Sequence, residues 1–162
     1  MNIPDGVNVH LDGNKVTVKG PGGEVQRSFP RVITVKVDGK TVEVSGEGKA
    51  LVNTVDAIIQ NMLFGAKNGY KRNLKLLYAH FPISVEVKGK DITIKNFLGE
   101  KMPRKTKLVG STKVEAKAQN VTISGPDKEA VGQTIANMRI ALKIKDKDGR
   151  VFQDGLYDVE GE

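Results

Sequence analysis

The sequence contains one pattern twice, and this repeat constrains the fold more than any other feature of the chain. Val16–Lys19 aligns with Ile92–Lys95 at a shift of 76 residues, and Val42–Gly46 aligns with Val121–Gly125 at a shift of 79. The shift of 76 gives two further matches: Gly23-Glu24 with Gly99-Glu100, and Asn61-Met62 with Asn137-Met138. A chain of 162 residues has room for two small domains. The repeat therefore predicts a tandem duplication, with a short insertion in the second copy.

Each copy begins with alternating apolar and polar residues and ends with a helical pattern. Val16 and Val18 alternate with polar residues after the turn Asp12-Gly13-Asn14, which is typical of a hairpin. The first helical stripe consists of Leu51, Val52, Val55, Ile58, Ile59, Met62 and Leu63. Gly65 is predicted to end this helix, and Pro126 to begin the second one. We therefore predict an α+β fold of two tandem duplicated domains, each an antiparallel β-sheet with one amphipathic α-helix packed on a face.

The predicted domains are residues 1–76 and 77–150, followed by a C-terminal tail, 151–162, with an acidic end. The connecting stretch 66–78 carries four basic residues and no acidic one. Its apolar residues, including Leu74 and Leu76, argue against a free linker. We expect part of this stretch to form an added strand in one of the sheets.

The residues needed for catalysis are mostly missing from the sequence. The chain has no cysteine, which excludes disulfides, thiolate nucleophiles and cysteine-based metal sites. Neither His10 nor His80 has a neighbour at the spacing of a triad or a metal site. The glycine-rich stretch 20–23 lacks the Lys-Ser/Thr of a phosphate-binding loop. We predict no enzymatic activity, no cofactor, no metal and no small-molecule substrate.

No apolar run approaches the roughly 18 residues that a membrane span needs, and no charged-then-apolar leader opens the chain. We therefore expect a cytoplasmic protein without a membrane partner.

The positive charge lies in the second part of the chain. Residues 1–62 carry seven basic and seven acidic side chains, so the whole net charge of +7 belongs to the remainder. Because the last nine residues hold four acidic side chains and no basic one, the surplus lies between Lys67 and Arg150. A localised surplus is typical of a surface that binds a polyanion. The alternative is a solvated lysine-rich surface that binds nothing in particular.

Two basic clusters favour nucleic-acid binding over solvated charge. Residues 101–107 hold four basic side chains on a predicted loop, and Lys143, Lys145 and Lys147 alternate after the second helix. No helix-turn-helix, zinc finger or long basic helix is present, and the aromatic residues are not interleaved with basic ones. We therefore predict a folded RNA recognised by its shape and backbone. The predicted RNA contacts are Lys71, Arg72, Lys75, Lys95, Lys101, Arg104, Lys105, Lys107, Arg139, Lys143, Lys145, Lys147, Arg150 and Tyr157. We expect Phe152, by contrast, to pack in the core, whereas Tyr157 is expected to contact either RNA or the other domain.

Several motifs resemble a known family. Lys95–Lys101, preceded by Tyr78–Ile83, is similar to the archaeal and eukaryotic branch of large-subunit ribosomal protein six. Lys19–Glu24 and the helix end Gln60–Met62 resemble the first domain of that family, and Lys147–Tyr157 resembles its C-terminal signature. The resemblance covers essentially the whole chain, and the compact length favours an archaeal-type member.

The resemblance implies a structural constituent of the large ribosomal subunit. It implies contact with 23S-type rRNA near the sarcin–ricin loop and the stalk base, mainly through the second domain and its tail. The implied neighbours are other large-subunit ribosomal proteins and the translational GTPases that dock nearby. The alternative left open by the residues is a protein–protein adaptor that uses exposed sheets for strand addition and basic loops for an acidic partner.

Overall fold

The computed structural model describes residues 1–145 and 147–159, so the last part of the predicted acidic tail lies outside the described residues. The chain divides into two compact units. Unit 1 comprises residues 1–70 together with 125–128, and unit 2 comprises the other described residues. The main division therefore falls a few residues before the position predicted from the sequence.

Unit 1 is built from two antiparallel β-sheets and one helix. Its elements are β1 (Asn8–Asp12), β2 (Lys15–Gly20), β3 (Gly23–Ser28), β4 (Ile33–Asp38), β5 (Thr41–Gly46) and α1 (Lys49–Asn68). Strands β1, β2 and β3 form one sheet, and β4 and β5 form a hairpin. Helix α1 contacts β2, β3 and β5, and it buries Ile59 together with Val18 and Val42 from the strands. Most of the apolar stripe predicted for this helix thus lies against the sheets, but Leu51, at its start, is exposed.

Helix α1 does not end at Gly65, so this prediction was wrong. The helix continues to Asn68 and ends at Gly69, whose φ of 72° lies in the left-handed region that favours glycine. Gly65 is buried instead, and a Cβ there would clash with the backbone carbonyl of Pro126. Nearby, the Tyr70 hydroxyl donates a hydrogen bond to the carbonyl oxygen of Asn61 at 3.1 Å. Burial, and secondarily the charge of Asp127, raise the pKa of Tyr70.

Unit 2 has the same order of three strands, a hairpin and a helix, with a strand added at each end. Its elements are β6 (Tyr70–Leu77), β7 (Ser84–Lys88), β8 (Asp91–Lys95), a 3-10 turn (Phe97–Gly99), β9 (Arg104–Lys107), β10 (Lys113–Lys117), β11 (Asn120–Gly125), α2 (Lys128–Ala141) and β12 (Gly155–Asp158). Strands β7, β8 and β9 form one sheet. The prediction of an α+β fold with two tandem sheet-and-helix domains is confirmed.

The connector and the C-terminal segment both enter the second sheet of unit 2. This sheet has the strand order β10-β11-β6-β12. Strand β6 confirms the added strand expected in the stretch 66–78, and β12 pairs with it antiparallel, with Tyr157 opposite Lys75. Leu74, Leu76 and Leu156 are buried on one side of these strands. This sheet therefore has a buried inner face and an outer face that carries polar side chains.

Residues 104–107 form strand β9 rather than the predicted loop. They pair antiparallel with β8, from Ile94 opposite Arg104 to Asp91 opposite Lys107. The backbone hydrogen bonds of a sheet override the local signal of Pro103 and the lysines. Among the described residues, no helix is long and apolar enough to cross a membrane.

Candidate nucleic-acid interface

All of the RNA contacts predicted from the sequence belong to unit 2. They lie on β6 (Lys71, Arg72, Lys75), β8 (Lys95), β9 (Arg104, Lys105, Lys107), α2 (Arg139) and β12 (Tyr157), and outside helices and strands (Lys101, Lys143, Lys145, Lys147, Arg150). The fold thus gathers cations from distant parts of the sequence into one unit. Their side chains differ, however, in how far they are already engaged within the protein.

Arg104 is the most engaged of these cations. Its Nη1 donates hydrogen bonds to the carbonyl oxygens of Ala141 at 2.7 Å and Lys143 at 3.1 Å, where helix α2 ends. Its Nε donates to Oε2 of Glu100 at 2.8 Å, and its guanidinium carbon lies 4.5 Å from the centre of the Phe97 ring. Carbonyls at a helix end lack partners within the helix, so this arginine stabilises the end of α2. A phosphate contact by Arg104 stays a prediction, and the structure gives its side chain an internal role in addition.

Other predicted contacts form ion pairs at the surface. The pairs are Lys95 with Glu86 at 2.6 Å, Arg139 with Asp158 at 2.8 Å, and Arg150 with Asp148 at 2.9 Å. Hydrogen bonds from the basic partner lower the pKa of Glu86, of Asp148 and of Glu100. These cations are partly neutralised, and a phosphate that binds one of them must compete with a carboxylate.

Two contacts hold the C-terminal segment against the start of the second domain, and a third lies within the segment. The Phe152 ring stacks on His80, with ring centres 4.9 Å apart, and Lys147 Nζ lies 4.6 Å from the centre of the Phe152 ring. Asp154 is buried, and its Oδ1 accepts a hydrogen bond from the Ala79 backbone N–H at 3.1 Å. Phe152 is half-buried and packs on His80 at the surface, which differs from the core position predicted for it.

The remaining predicted cations are exposed and have no ion pair in the part of the chain that the structure describes. They are Lys71, Arg72, Lys75, Lys101, Lys105, Lys107, Lys143 and Lys145. Because binding a phosphate to such a side chain breaks no internal contact, these groups are the best suited to a polyanion.

The outer face of the four-stranded sheet adds cations that sequence reasoning missed. Lys113 and Lys117 of β10 are exposed and lie opposite Ser124 and Asn120 of β11. These lysines alternate with Val114 and Ala116, and such alternation is typical of a strand with one exposed face. The alternation alone does not show which strand of the sheet lies beside β10. With Lys71 and Lys75 of β6, this face carries basic side chains from two strands far apart in sequence.

A cleft of about 570 Å³ lies beside β12, at the free edge of this sheet. Basic side chains (Arg139, Lys143), aromatic rings (Phe152, Tyr157) and the buried carboxyl group of Asp154 line it. Oδ2 of Asp154 has no hydrogen-bond partner among the described residues. No group of three His, Asp or Glu side chains within residues 1–145 and 147–159 is arranged to hold a metal ion.

The family model described as Ribosomal protein L6 matches residues 3–69 and 81–155. These two matched segments correspond to the two sheet-and-helix repeats. The chain is also 45% identical to a protein named "Large ribosomal subunit protein uL6" from Methanobrevibacter smithii, over 100% of this chain and 94% of that relative. It is 47% identical to the protein of the same name from Methanosphaera stadtmanae, over 98% of this chain and 90% of the relative.

A third relative of the same name, from Aeropyrum pernix, is 41% identical over 100% of this chain and 93% of its own length. These relatives are of the archaeal type, as the motifs predicted. The family model thus matches both repeats, and the relatives match the chain over its whole length. The chain belongs to the Ribosomal protein L6 family, and it is a structural protein of the large ribosomal subunit rather than an enzyme.

Proposed function

We propose that the chain binds 23S-type rRNA near the sarcin–ricin loop, at the base of the ribosomal stalk, and that it supports the surface on which translational GTPases dock. Neighbouring large-subunit ribosomal proteins are its protein partners there. The motif resemblance implies this location. The observation that carries the proposal is the concentration of exposed, unpaired cations in unit 2, set against a first part of the chain with no net charge.

The charge distribution predicts which unit holds the RNA. Each phosphate that a cation neutralises releases condensed counterions and steepens the salt dependence of binding by about 0.9 on a duplex. Replacing three exposed lysines in unit 2 changes the net charge as much as replacing three exposed lysines in unit 1, so the two triple variants can be compared directly. The two sets are Lys71, Lys105 and Lys107 in unit 2, and Lys15, Lys36 and Lys49 in unit 1.

The test uses the full chain and two rRNA fragments of equal length, one containing the sarcin–ricin hairpin and one from another rRNA domain. We expect tighter binding to the first fragment. Changing Lys71, Lys105 and Lys107 to alanine should lower the slope of log affinity against log salt by roughly 2–3. The alanine triple in unit 1 should leave the slope unchanged. Equal affinity for the two fragments, or equal slopes for the two triples, would overturn the proposal.

A further inference from the structure

Tyr157 occupies an unusual position on the outer face of the four-stranded sheet. It lies on the edge strand β12, directly opposite Lys75 of β6, and 43% of the residue is exposed. Gly155, two residues earlier on the same face, has no side chain. A Cβ built there would lie 3.3 Å from Cε2 of the tyrosine ring, so the ring folds back along the strand over Gly155. The glycine thus makes room for a ring that lies along the sheet instead of standing away from it.

A row of polar and basic side chains continues from Tyr157 across the sheet. The Leu76 N–H donates to the carbonyl oxygen of Gln119 at 2.7 Å, and Thr122 Oγ1 lies 3.1 Å from Asn73 Oδ1. Leu76 thus pairs with Gln119, and Asn73, earlier on β6, pairs with Thr122, later on β11. The two strands are therefore antiparallel, and this register places Asn120 beside Lys75.

Lys117 of β10 lies opposite Asn120 and completes this row. The stacking row, defined as Tyr157, Lys75, Asn120 and Lys117, is about 14 Å long, since neighbouring strands are about 4.8 Å apart. That length corresponds to a few nucleotides of an extended strand.

The charges on this face favour a polyanion over a protein segment. Among the described strand residues, Lys71, Lys75, Lys113 and Lys117 share the outer face with a single carboxylate, that of Glu115. None of the four lysines forms an ion pair within the described residues. A flat aromatic ring beside unpaired lysines is the combination that binds single-stranded nucleic acid, because the ring stacks on a base while the cations meet its phosphates.

We propose that the stacking row is a binding site for an unpaired nucleotide of RNA, whose base stacks on Tyr157 and whose neighbouring phosphates contact Lys75 and Lys117. This inference rests on the proposed function for its partner and adds a single-stranded element to it. A base within a duplex has both faces covered, so the nucleotide must be bulged, looped or splayed out. The sequence predicted RNA contacts at Tyr157 and Lys75, but it did not reveal that the two lie side by side or that Asn120 and Lys117 continue the row.

The test measures binding of the full chain to a labelled nine-nucleotide oligouridylate, which has no stable secondary structure. We expect Tyr157→Ala to weaken binding roughly 5- to 150-fold and Tyr157→Phe to preserve it, since both aromatic rings stack. Phe64→Ala is the matched control, because Phe64 lies in unit 1 and is 51% exposed. Lys75→Ala should lower the salt slope by about 0.7, the contribution of one phosphate on a single strand.

Tyrosine fluorescence gives a second readout that does not depend on loss of affinity. The chain has three tyrosines and no tryptophan, so stacking on Tyr157 should quench part of a simple emission signal. In Tyr157→Phe we expect binding without that quenching. Gly155→Ala should push the ring away from the strand and weaken oligouridylate binding, while the charge of the protein stays the same.

The rRNA fragments distinguish failure of this inference from failure of the proposed function. If the chain binds the sarcin–ricin fragment but Tyr157→Ala binds oligouridylate as well as the parent does, the stacking site is overturned and the proposed function stands. Equal affinity for oligouridylate and for a nine-base-pair RNA duplex would also overturn the stacking site, as would preferential binding of an acidic peptide at Lys75. If the parent binds neither rRNA fragment, the proposed function itself is overturned.

Discussion

The third strands of the two units occupy equivalent positions but carry different chemistry. In unit 1, Val25 of β3 lies opposite Val18 and is buried. In unit 2, Arg104 of β9 lies opposite Ile94, which matches Val18 in the 76-residue repeat. Arg104 therefore stands where unit 1 has Val25. The second copy has replaced an apolar core contact with a guanidinium that binds the end of its own helix.

The other side of the same strands shows one source of the charge difference between the units. Gln26 of β3 lies opposite Thr17 and donates to its hydroxyl at 3.2 Å. At the equivalent place in unit 2, Lys105 lies opposite Thr93, and Lys107 stands where unit 1 has Ser28. The two copies thus share the backbone pairing but differ at these positions, which hold neutral side chains in unit 1 and lysines in unit 2. A shared fold can therefore serve both a unit with almost no net charge and a strongly cationic one.

The two helices provide the prediction with the largest expected effect. Each contains one glycine in its interior, Gly65 in α1 and Gly132 in α2. A Cβ at Gly65 would clash with the Pro126 carbonyl, whereas a Cβ at Gly132 would have no neighbour within 4 Å among the described residues. We expect Gly65→Ala to lower the free energy of unfolding by about 3 kcal/mol, because backbone atoms cannot move aside cheaply.

The matched control should behave in the opposite way. Gly132→Ala removes conformational freedom from the unfolded chain without a clash, so it should raise the free energy of unfolding by about 0.5–1 kcal/mol. Urea unfolding followed by circular dichroism measures both. Equal effects of the two substitutions would show that the close approach at Gly65 does not constrain α1.

Gly65 also illustrates why the sequence predicted the fold better than its details. The repeat, the alternation of Val16 and Val18 and the helical stripe follow from burial of apolar residues, which leaves a periodic record in the sequence. A glycine leaves no such record of its purpose. Glycine is favoured both at a helix end and wherever another chain segment passes closely. Only the residue that lies against it in three dimensions, here Pro126, shows which of these reasons applies to Gly65.

The candidate interface was predictable in its location and not in its geometry. Charge counting placed it in the second part of the chain, because net charge is a property of composition. The internal bonds of Arg104 could not be foreseen, since its carbonyl partners lie 37 and 39 residues away. Similarly, the pairing of Tyr157 with Lys75 depends on β12 joining β6, which no local pattern encodes.

Arg104 gives the second prediction. Arg104→Val makes β9 resemble β3, but it leaves Glu100 without its partner and removes the donors to two carbonyls at the end of α2. We expect the free energy of unfolding to fall by about 2 kcal/mol, within the range for hydrogen bonds to charged groups. Lys105→Ala, one residue away and exposed, should change it by less than about 0.5 kcal/mol. Thermal unfolding of the two variants measures the difference.

The two outcomes separate a structural arginine from a surface cation. If Arg104→Val is as stable as the parent, the contacts with Ala141 and Lys143 do not stabilise the helix end. Arg104→Lys should recover only part of the loss, because an ammonium group cannot donate to Glu100 and to two carbonyls in the same planar arrangement.

The smallest predicted effect is the pH dependence of the Glu100–Arg104 pair. Hydrogen bonding from Arg104 lowers the pKa of Glu100 below its ordinary value of 4.5. A carboxyl whose pKa is lower in the folded state stabilises the fold above its ordinary pKa, and this contribution disappears as the pH falls through the folded-state pKa. Because the Glu100 side chain is 39% exposed, we expect the contribution to stay below about 1 kcal/mol.

Glu100→Gln tests this sign directly. The variant should be less stable than the parent at pH 7, and the two should converge as the pH falls through the lowered folded-state pKa of Glu100 and the parent's carboxyl becomes protonated. Glu115→Gln is the control, since Glu115 is exposed and has no ion-pair partner within residues 1–145 and 147–159. A deficit for Glu100→Gln that stays constant as the pH falls through that pKa would mean that the packing of the Glu100 side chain, and not its charge, accounts for the deficit. In unit 1 the position equivalent to Arg104 is occupied by Val25, which cannot form an ion pair. We therefore expect no variant of β3 to show this pH dependence of the free energy of unfolding.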